Sequence, residues 1–368
     1  MLTVPLDRLR VTRAGAILAL IFALVAAAAL HALVDLGGGA IYVLPGIGAV
    51  TLAQAATLSR TELQAGVVET FILSSPVLER AQLLPIEGNA YAYNEEQTLP
   101  AMEFRAVNAA YAESTGAVVQ KSESLVILGG DADVDRYIIQ TRGNVNDQKA
   151  IQTELKVKAA ALKFQDAFFN GDVAVDANSF DGLKKRLVGG QVITGASANG
   201  DNIVGAASTE RQAWFDLLDS LIAKVPGATP ENSAIYANDL VLAKHASAAR
   251  RETINADGAD ALGRAITTYR GFPMLDAGTR GDGTRILPQT ETKGASSVTS
   301  SIYLVKYGRN EAERAVTVLY NGPESVFDVR DLGEQDAKPV ERVRIEGFLG
   351  VAMFGGQAAA RASGILAA

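Results

Sequence analysis

Residues 89–108 read NAYAYNEEQTLPAMEFRAVN, which is two alternating stretches on either side of a polar one. Residues 89–94 and 102–107 alternate with period two, and residues 95–100 between them carry charged and turn-forming side chains. Alternation on both sides of a polar turn predicts a β-hairpin. A two-stranded ribbon is marginally stable in water by itself, so we expect this one to lie against its own domain or another subunit.

Five side chains of this hairpin are the candidate assembly contacts. Tyr91 and Tyr93 share one face of the first predicted strand, and Met102 and Phe104 share one face of the second, next to Arg105. Tyrosines can stack on nucleic-acid bases, but no basic groove surrounds this pair in the sequence. The pattern therefore favours a packing face.

The clearest helix covers residues 147–169 and would be about 35 Å long. Asn146 is placed to cap its start, and Asn170-Gly171 to end it in a left-handed turn. Its apolar side chains fall on two sides, one with Ile151, Leu155, Ala159 and Leu162 and the other with Val157, Ala161, Phe164 and Phe168. A helix of this length crosses a small domain and can serve as its spine.

Strands and a second helical region flank this helix. Thr209 opens a capping-box pattern, followed by helical spacing from Trp214 to Val225, and another helix is predicted over 239–252. The Gly-, Ala- and Ser-rich stretch 189–205 predicts a flexible surface loop. Further strands are predicted at 124–128, 134–140, 301–306, 315–320 and 342–354. Strands thus enclose a helical insert, which is an α+β arrangement.

The first fifty residues differ from the rest of the chain. Residues 14–34 carry no formally charged side chain and follow three arginines, which is the length and flank of a membrane-spanning signal anchor. The same segment also has the parts of a cleaved signal peptide. A third alternative is a start codon assigned too early, with the natural start near Val50. Residues 1–49 are accordingly treated as an apolar leader of one of these kinds.

Composition restricts the function classes. The 368 residues include 34 Lys and Arg against 41 Asp and Glu, a formal net charge of −7, and no cysteine. Disulfides, thiolate nucleophiles and cysteine-ligated metals are excluded. Tight nucleic-acid binding needs clustered cations to displace phosphate counterions, which an acidic chain does not favour. From Val50 onward there are 31 basic and 39 acidic residues.

Motifs that carry chemistry are rejected one by one. Residues 131–135 read DADVD, the opening of a calcium loop, but Arg136 and Arg142 stand where that loop needs Gly and a bidentate Glu. A weak divalent site and an ion-paired strand face are the remaining alternatives, and the second is favoured. His245 lies among Ala and Val on a predicted helix, which favours a packed histidine over a catalytic base.

Short basic clusters and the search for cofactor motifs add no site. Lys184-Lys185-Arg186 and Arg250-Arg251 lie among acidic residues, as ordinary surface charge does, with contact to a partner or to packaged nucleic acid as the alternative. The sequence has no phosphate loop ending in Lys-Ser/Thr and no dinucleotide glycine motif. No catalytic, cofactor-binding or metal-binding residue is expected, and the chain is not expected to be an enzyme.

The order of these parts resembles the major capsid proteins of tailed bacteriophages with the Hong Kong 97-type fold. The stretches that carry the resemblance are, beside the hairpin, SLVILGGDADVDRYIIQTRGN at 124–144, AFFNGD at 167–172, FDGLKKRL at 180–187, YRGFPMLDAG at 269–278 and VAMFGGQAAARASGI at 351–365. Some members crosslink a lysine of the hairpin covalently to a neighbour. Residues 87–120 contain no lysine, so this chemistry is not expected here.

The resemblance implies a domain organisation. The implied parts are an N-terminal arm at 50–86, an extended loop at 87–123 lying over a neighbouring subunit, a peripheral domain at 124–190, an axial domain at 191–290 and returning strands at 291–368. The peripheral domain would contain the spine helix. The axial domain would surround the capsomer axes.

The resemblance also implies a function and partners. The chain would self-assemble, through pentamers and hexamers, into an icosahedral phage or prophage shell enclosing double-stranded DNA without sequence-specific binding. Its other implied partners are a scaffold, a portal and a maturation protease, and its implied location is the virion capsid, assembled in the host cytoplasm. Two alternatives stay open: an encapsulin-like compartment that holds protein cargo, and a membrane-tethered or secreted binding protein with a genuine leader.

Overall fold

The computed structural model describes residues 75–142, 148–205, 207–254, 257–259, 265–322 and 326–367. The predicted leader 1–49 and the first part of the predicted arm, residues 50–74, lie outside the described residues, as does Asn146. Within the described ranges, no helix combines the length and the apolar character needed to cross a bilayer.

Helices and strands alternate irregularly along the chain. The first half contains α1 (Pro76–Arg80), β1 (Leu83–Ile86), β2 (Ala90–Thr98), β3 (Ala117–Ser124), β4 (Val126–Asp135), α2 (Arg136–Arg142), α3 (Gln148–Asn170), α4 (Leu183–Arg186), β5 (Val192–Thr194) and β6 (Asp201–Asn202). The second half contains α5 (Ser208–Ala223), β7 (Ser233–Ala237), α6 (Asp239–Arg251), β8 (Asp257–Ala259), β9 (Ala265–Tyr269), β10 (Phe272–Asp276), β11 (Glu291–Lys293), β12 (Ser296–Lys306), β13 (Val316–Asn321), β14 (Phe327–Gln335), β15 (Lys338–Met353) and β16 (Ala359–Leu366). This is the α+β class predicted from the sequence.

The strands form two sheets and a separate ribbon. The five-stranded sheet has the order β1-β13-β15-β14, with β4 also paired to the long strand β15. The nine-stranded sheet has the order β5-β16-β12-β7-β10-β9-β8, with β11 and β6 attached to β12 and β16. The ribbon consists of β2 and β3 alone. It is continuous with β4, so the hairpin extends from the five-stranded sheet.

Alternation in the nine-stranded sheet produces two cores. Along β12, Tyr303 and Val305 point to one face, into the core that contains the buried side of α3. Ile302 and Leu304 point to the other face, into the core under α5 and α6. Because side chains alternate across a strand, one sheet supplies both cores with a wall.

The predicted spine helix is observed as α3. Val157, Ala161, Phe164 and Phe168 are among its buried side chains, and the centres of the Phe164 and Phe168 rings lie 6.5 Å apart. Of the other predicted side, Ile151 and Leu155 are exposed. The reason is that one face of the helix packs against the sheet while the opposite face has no partner within the described part of the chain.

The end of the spine helix differs from the prediction. Gly171 does not have a positive φ, so no left-handed stop forms there. Its amide donates to the carbonyl of Ala167 at 2.8 Å, and its own carbonyl accepts from the amide of Gly182 at 2.8 Å. The chain that leaves the helix therefore returns against the last helical turn, at a place where a side chain would not fit.

Four other local predictions were wrong. The strand expected at 134–140 ends at Asp135, where its pairing with β15 ends, and the chain continues as α2. The expected loop 189–205 contains β5 and β6, which pair in parallel with β16. Thr209 lies inside α5, whose cap is Ala207, while Glu210 accepts from the Ala207 amide at 3.4 Å. The fourth wrong prediction is the second strand of the hairpin, which is β3 and not residues 102–107.

Candidate assembly surface

The hairpin is longer than predicted and has a different second strand. Residues 95–98, expected in the turn, continue β2, which pairs with β3 rather than with residues 102–107. Glu95 forms an ion pair with Lys121 of β3, which explains why a charged stretch remains extended. Residues 99–116 between the two strands form the tip.

Aromatic contacts fix the root of the hairpin to the end of β15. The Tyr93 hydroxyl donates to the carbonyl oxygen of Met353, and its ring lies edge-on to that of Phe354 at 5.1 Å. The Tyr91 ring lies 6.0 Å from the same phenylalanine, and its hydroxyl donates to Glu311 at 2.7 Å. Tyr93 is buried and Tyr91 is partly buried. The two tyrosines thus belong to an intramolecular cluster.

Burial changes the acidity of both tyrosines. Burial, and then the Glu311 carboxylate, raise the pKa of the Tyr91 hydroxyl to about 12. Burial likewise raises the pKa of Tyr93 far above its usual range. Both hydroxyls therefore remain protonated hydrogen-bond donors at any physiological pH.

Ion pairs also attach the hairpin to the body. Arg186 of α4 binds Glu123 of β3 through both terminal guanidinium nitrogens, Nη1 and Nη2, the latter at 2.7 Å, and both side chains are largely buried. Arg314 binds Glu96 at 3.0 Å in a more exposed setting. A bidentate guanidinium–carboxylate pair fixes direction as well as distance. The root is thus anchored to two different parts of the body.

The tip is ordered by its own polar groups. Arg105 donates to the carbonyl oxygens of Ala106 and Ala109 at 3.3 and 3.2 Å, and its guanidinium lies 5.1 Å from the centre of the Tyr111 ring. Glu103 accepts from the Ala112 amide at 2.6 Å. The backbone of the tip is therefore closed on itself without support from the body.

The outer side chains of the tip are apolar and unsupported. Met102 is 94% exposed, Phe104 is fully exposed and Val107 is 90% exposed. Leu99 and Tyr111 are also exposed. Burying one large apolar side chain contributes about 1.5–3 kcal/mol. A set of this size on a projecting arm marks a surface that gains by contact with another molecule.

The five predicted contact residues thus divide into two groups. Tyr91 and Tyr93 lie in the root cluster, whereas Met102, Phe104 and Arg105 lie in the tip. The structure does not bring the two groups together. Sequence reasoning missed the partners of the root, Glu123, Phe354 and Arg186, because each comes from a distant part of the chain.

The aspartates of the DADVD stretch lie on the outer face of β4. Arg342 binds Asp133 at 2.6 Å and Asp131 at 3.3 Å, and Arg344 binds Asp131 at 2.8 Å. These arginines lower the pKa of both carboxyls. Across the described ranges, no group of three or more acidic or histidine side chains is placed to hold a metal ion. The favoured alternative, an ion-paired strand face, is what the structure shows.

The remaining candidates are packed or paired. His245 is buried, and its Nδ1 accepts from the indole of Trp214 at 3.1 Å. In the basic cluster, Lys185 pairs with Asp172 and Asp181, and Lys184 lies 3.4 Å from Glu291. Arg250 and Arg251 lie at the end of α6, where cations complement the helix dipole.

Comparison with known proteins gives a family match and a fold. Residues 60–215 match the family model described as Major capsid protein GP7. No curated protein sequence gives a significant match. The family match covers the hairpin, the spine helix and the start of α5.

Solved structures resemble the chain over most of its length. The SrpI encapsulin of Synechococcus elongatus PCC 7942 has a TM-score of 0.57 at 16% identity, covering 79% of this chain and 87% of that one. The capsid of a native GTA particle has a TM-score of 0.55 at 16% identity, covering 80% of this chain and 91% of that one. A structure of Mycobacterium phage Adephagia has a TM-score of 0.52 at 13% identity, covering 79% of this chain and 89% of that one. At such identities these likenesses show the fold, which is the Hong Kong 97-type fold expected from the sequence.

Proposed function

We propose that this chain, a shell-forming major capsid protein with the Hong Kong 97-type fold, self-assembles into an icosahedral phage or prophage capsid that encloses double-stranded DNA. One observation carries the proposal: a hairpin with an anchored root presents an apolar tip that nothing in the described chain covers. A second copy of the same chain supplies the missing cover.

Repetition makes a modest contact sufficient. Each subunit offers one tip and one receiving surface, and such heterologous contacts close into rings and then into a shell. If Met102, Phe104 and Val107 are buried in each contact, the gain is of the order of several kcal/mol per subunit before association costs. The anchored root reduces that cost because the arm is ordered before it docks.

The domain assignment follows the two cores. We assign residues 87–123 to the extended loop and residues 124–190, with α3, to the peripheral domain. Residues 191–290, which include α5 and α6, form the axial domain, and residues 291–368 return as strands through both cores. Residues 50–86 form the N-terminal arm. The support for this division is that α3 packs on one face of the nine-stranded sheet and α5 on the other.

We propose that the interior of the shell encloses DNA without binding it tightly. With 31 basic against 39 acidic residues from Val50 onward, the chain does not offer the clustered cations that displace phosphate counterions. Scaffold, portal and maturation protease are the further partners proposed, and assembly would take place in the host cytoplasm. The role is structural and requires neither a cofactor nor catalysis.

Protein cargo is the second candidate function. The likeness in fold to the holo-SrpI encapsulin complex is the observation that favours it. Particles purified from an expressing cell separate the two candidates. Nuclease-protected DNA inside them supports a capsid, and a stoichiometric co-purifying protein supports a compartment.

The tip provides the test of assembly itself. We expect full-length protein to form uniform polyhedral shells or rings in negative stain, and Phe104→Asp with Met102→Asp to leave soluble capsomers or monomers. The matched control is Val175→Asp, a residue 87% exposed outside the hairpin, which should assemble normally. A wild-type chain that stays a stable monomer, or tip variants with normal particle yield, would overturn the proposal.

A further inference from the structure

Three asparagines of the chain are followed by glycine, at Asn170-Gly171, Asn199-Gly200 and Asn321-Gly322. In such a pair the backbone nitrogen of the glycine can attack the side-chain carbonyl carbon of the asparagine, because glycine has no Cβ to crowd the approach. The three pairs are alike in sequence, but the fold gives each a different environment. Their chemistry does not depend on assembly of the shell.

Asn170 is held by hydrogen bonds on both sides of the reacting atoms. Its side-chain nitrogen donates to Asp166 at 2.9 Å and to the carbonyl oxygen of Ile286 at 2.7 Å. The Gly171 amide, which would be the attacking group, donates to the carbonyl oxygen of Ala167 at 2.8 Å. Attack at this pair would break these hydrogen bonds, so the last turn of α3 protects Asn170.

Asn199 is exposed, but its side chain is engaged with another loop. Its Oδ1 accepts from the amide of Ala295 at 3.0 Å. The following Gly200 is buried, and a Cβ there would lie 2.8 Å from the Leu366 side chain, so the peptide between Asn199 and Gly200 has little room to turn. The side chain must leave its partner and the buried glycine must move before the two atoms can meet.

Asn321 has neither restraint. It is the exposed last residue of β13, and its side chain makes no hydrogen bond with the described residues. Pairing with β15 ends one residue earlier, where Tyr320 lies opposite Leu349. The Gly322 amide likewise donates to no group in the described part of the chain, and a Cβ on Gly322 would meet no heavy atom within 4 Å. Among the three pairs, this is the one whose two reacting groups are free to approach each other.

The reaction at such a pair needs only base and water. Base removes the proton of the Gly322 nitrogen, this nitrogen attacks Cγ of Asn321, and the C–N bond of the side-chain amide breaks. The nitrogen that leaves takes up a proton in return and departs as ammonia, and a five-membered succinimide ring remains. Water then opens the ring at one of its two carbonyl groups, which gives either aspartate or isoaspartate.

We propose that Asn321 is a site of spontaneous modification, deamidated through this succinimide in the folded protein while Asn170 and Asn199 are protected. Each event adds one negative charge at the end of β13. The isoaspartyl form also adds one carbon to the backbone, at the position that lies opposite Ile86 of β1. The modification therefore changes both the charge and the strand pairing where β1 joins the sheet.

Peptide mapping of the full-length protein by mass spectrometry, after incubation in the folded state at pH 8, tests this. We expect conversion at Asn321 at least tenfold faster than at Asn170 or Asn199. The main product should be isoaspartate, detected with an isoaspartyl-specific methyltransferase, whereas direct hydrolysis of the side chain would give aspartate alone. Because base must remove the amide proton, conversion should be several times slower at pH 6.

Two controls separate the effect of the fold from that of the sequence. In urea, all three pairs should react at similar rates, because the fold no longer distinguishes them. Asn321→Gln keeps a side-chain amide but would have to form a larger ring, so it should end methyl transfer to this peptide. Conversion of folded Asn321 no faster than that of Asn170 or Asn199, absence of isoaspartate at position 321, or the same tenfold preference in urea would overturn the proposal.

Discussion

The hydroxyl of Tyr93 donates a 3.0 Å hydrogen bond to the carbonyl oxygen of Met353, which joins the hairpin to the last residue of β15. The two residues are separated by 260 positions in the sequence. A loop of that length must close before the root of the hairpin is fixed. The direction of the arm therefore depends on β15, while the tip depends only on its own hydrogen bonds.

Substitution of the root tyrosines should uncouple the arm from the body. Tyr93→Phe keeps the ring but loses the hydrogen bond, and we expect a loss of about 1 kcal/mol in the free energy of unfolding. The double variant Tyr91→Asp with Tyr93→Asp places two carboxylates beside Phe354. We therefore expect this variant to give soluble capsomers or aggregates without closed shells. Negative-stain particle yield measures the loss of closed shells. Protease cleavage within residues 99–116 measures how far the arm is uncoupled from the body.

The control for this pair is Tyr137→Asp, an exposed tyrosine on α2. It makes the same kind of substitution, with one aspartate in place of two, outside the root and should leave particle yield unchanged. Normal shells from the double variant would show that the root does not direct assembly.

The Arg186–Glu123 pair should contribute more than an ordinary surface ion pair. Both side chains are largely buried, with 14% and 18% of their surface exposed. Removing one partner leaves the other charge without compensation, so we expect Arg186→Met or Glu123→Gln to cost about 2–3 kcal/mol. Urea unfolding of both single variants and the double variant measures the coupling.

An exposed pair serves as the comparison. Arg314→Met, which breaks the contact with Glu96, should cost less than about 1 kcal/mol because both side chains are more than half exposed. Equal costs at the two sites would mean that the burial of Arg186 and Glu123 adds nothing.

Sequence alone predicted the elements whose pattern is local. The spine helix shows an apolar period of 3.6 along Val157, Ala161, Phe164 and Phe168, and these side chains are buried. The packed environment of His245 also followed from its neighbours on one helix. Such features depend on residues within a few turns of each other, so their signal is contained in the sequence pattern.

The strand partner of the hairpin could not be predicted in the same way. Residues Ala117–Ser124 are almost wholly exposed, so β3 lacks the alternation of a half-buried strand. Residues 102–107 do alternate, yet they lie in the tip, where their apolar side chains face outward. Alternation indicates one apolar face, and it does not reveal whether this chain or a second copy covers that face.

Two glycines decide how the chain turns after the spine helix. A Cβ on Gly182 would lie 2.5 Å from the Ala167 carbonyl oxygen and 2.6 Å from the Gly171 nitrogen. Both contacts are with backbone, which cannot move aside cheaply. We therefore expect Gly182→Ala to destabilise the protein by about 3 kcal/mol or more, measured by urea or thermal unfolding.

Gly190→Ala is the matched control. A Cβ at this position meets no heavy atom within 4 Å, and its φ is not in the left-handed region. This variant should match the wild type or exceed it slightly, since alanine restricts the unfolded chain. Similar midpoints for the two variants would contradict the close return of the chain against α3.

His245 should make stability depend on pH between about 4 and 6.5. Burial lowers its pKa to about 4, with a smaller opposing effect from the Thr268 backbone. Between these pH values the unfolded chain binds a proton that the folded chain does not, so stability falls as pH falls. The loss approaches about 3 kcal/mol near pH 4. Protonation would also remove the acceptor for the Trp214 indole.

The variant His245→Asn separates the pH dependence caused by His245 from that of carboxylates, which titrate in a similar pH range. His245→Asn retains an oxygen near the position of Nδ1 but does not titrate. Unfolding followed by the fluorescence of Trp214, the single tryptophan of the chain, should show that the wild type loses stability more steeply than His245→Asn from pH 6.5 to 4.5. Parallel pH profiles for the two proteins would mean that His245 is either accessible to protons in the folded state or already charged there.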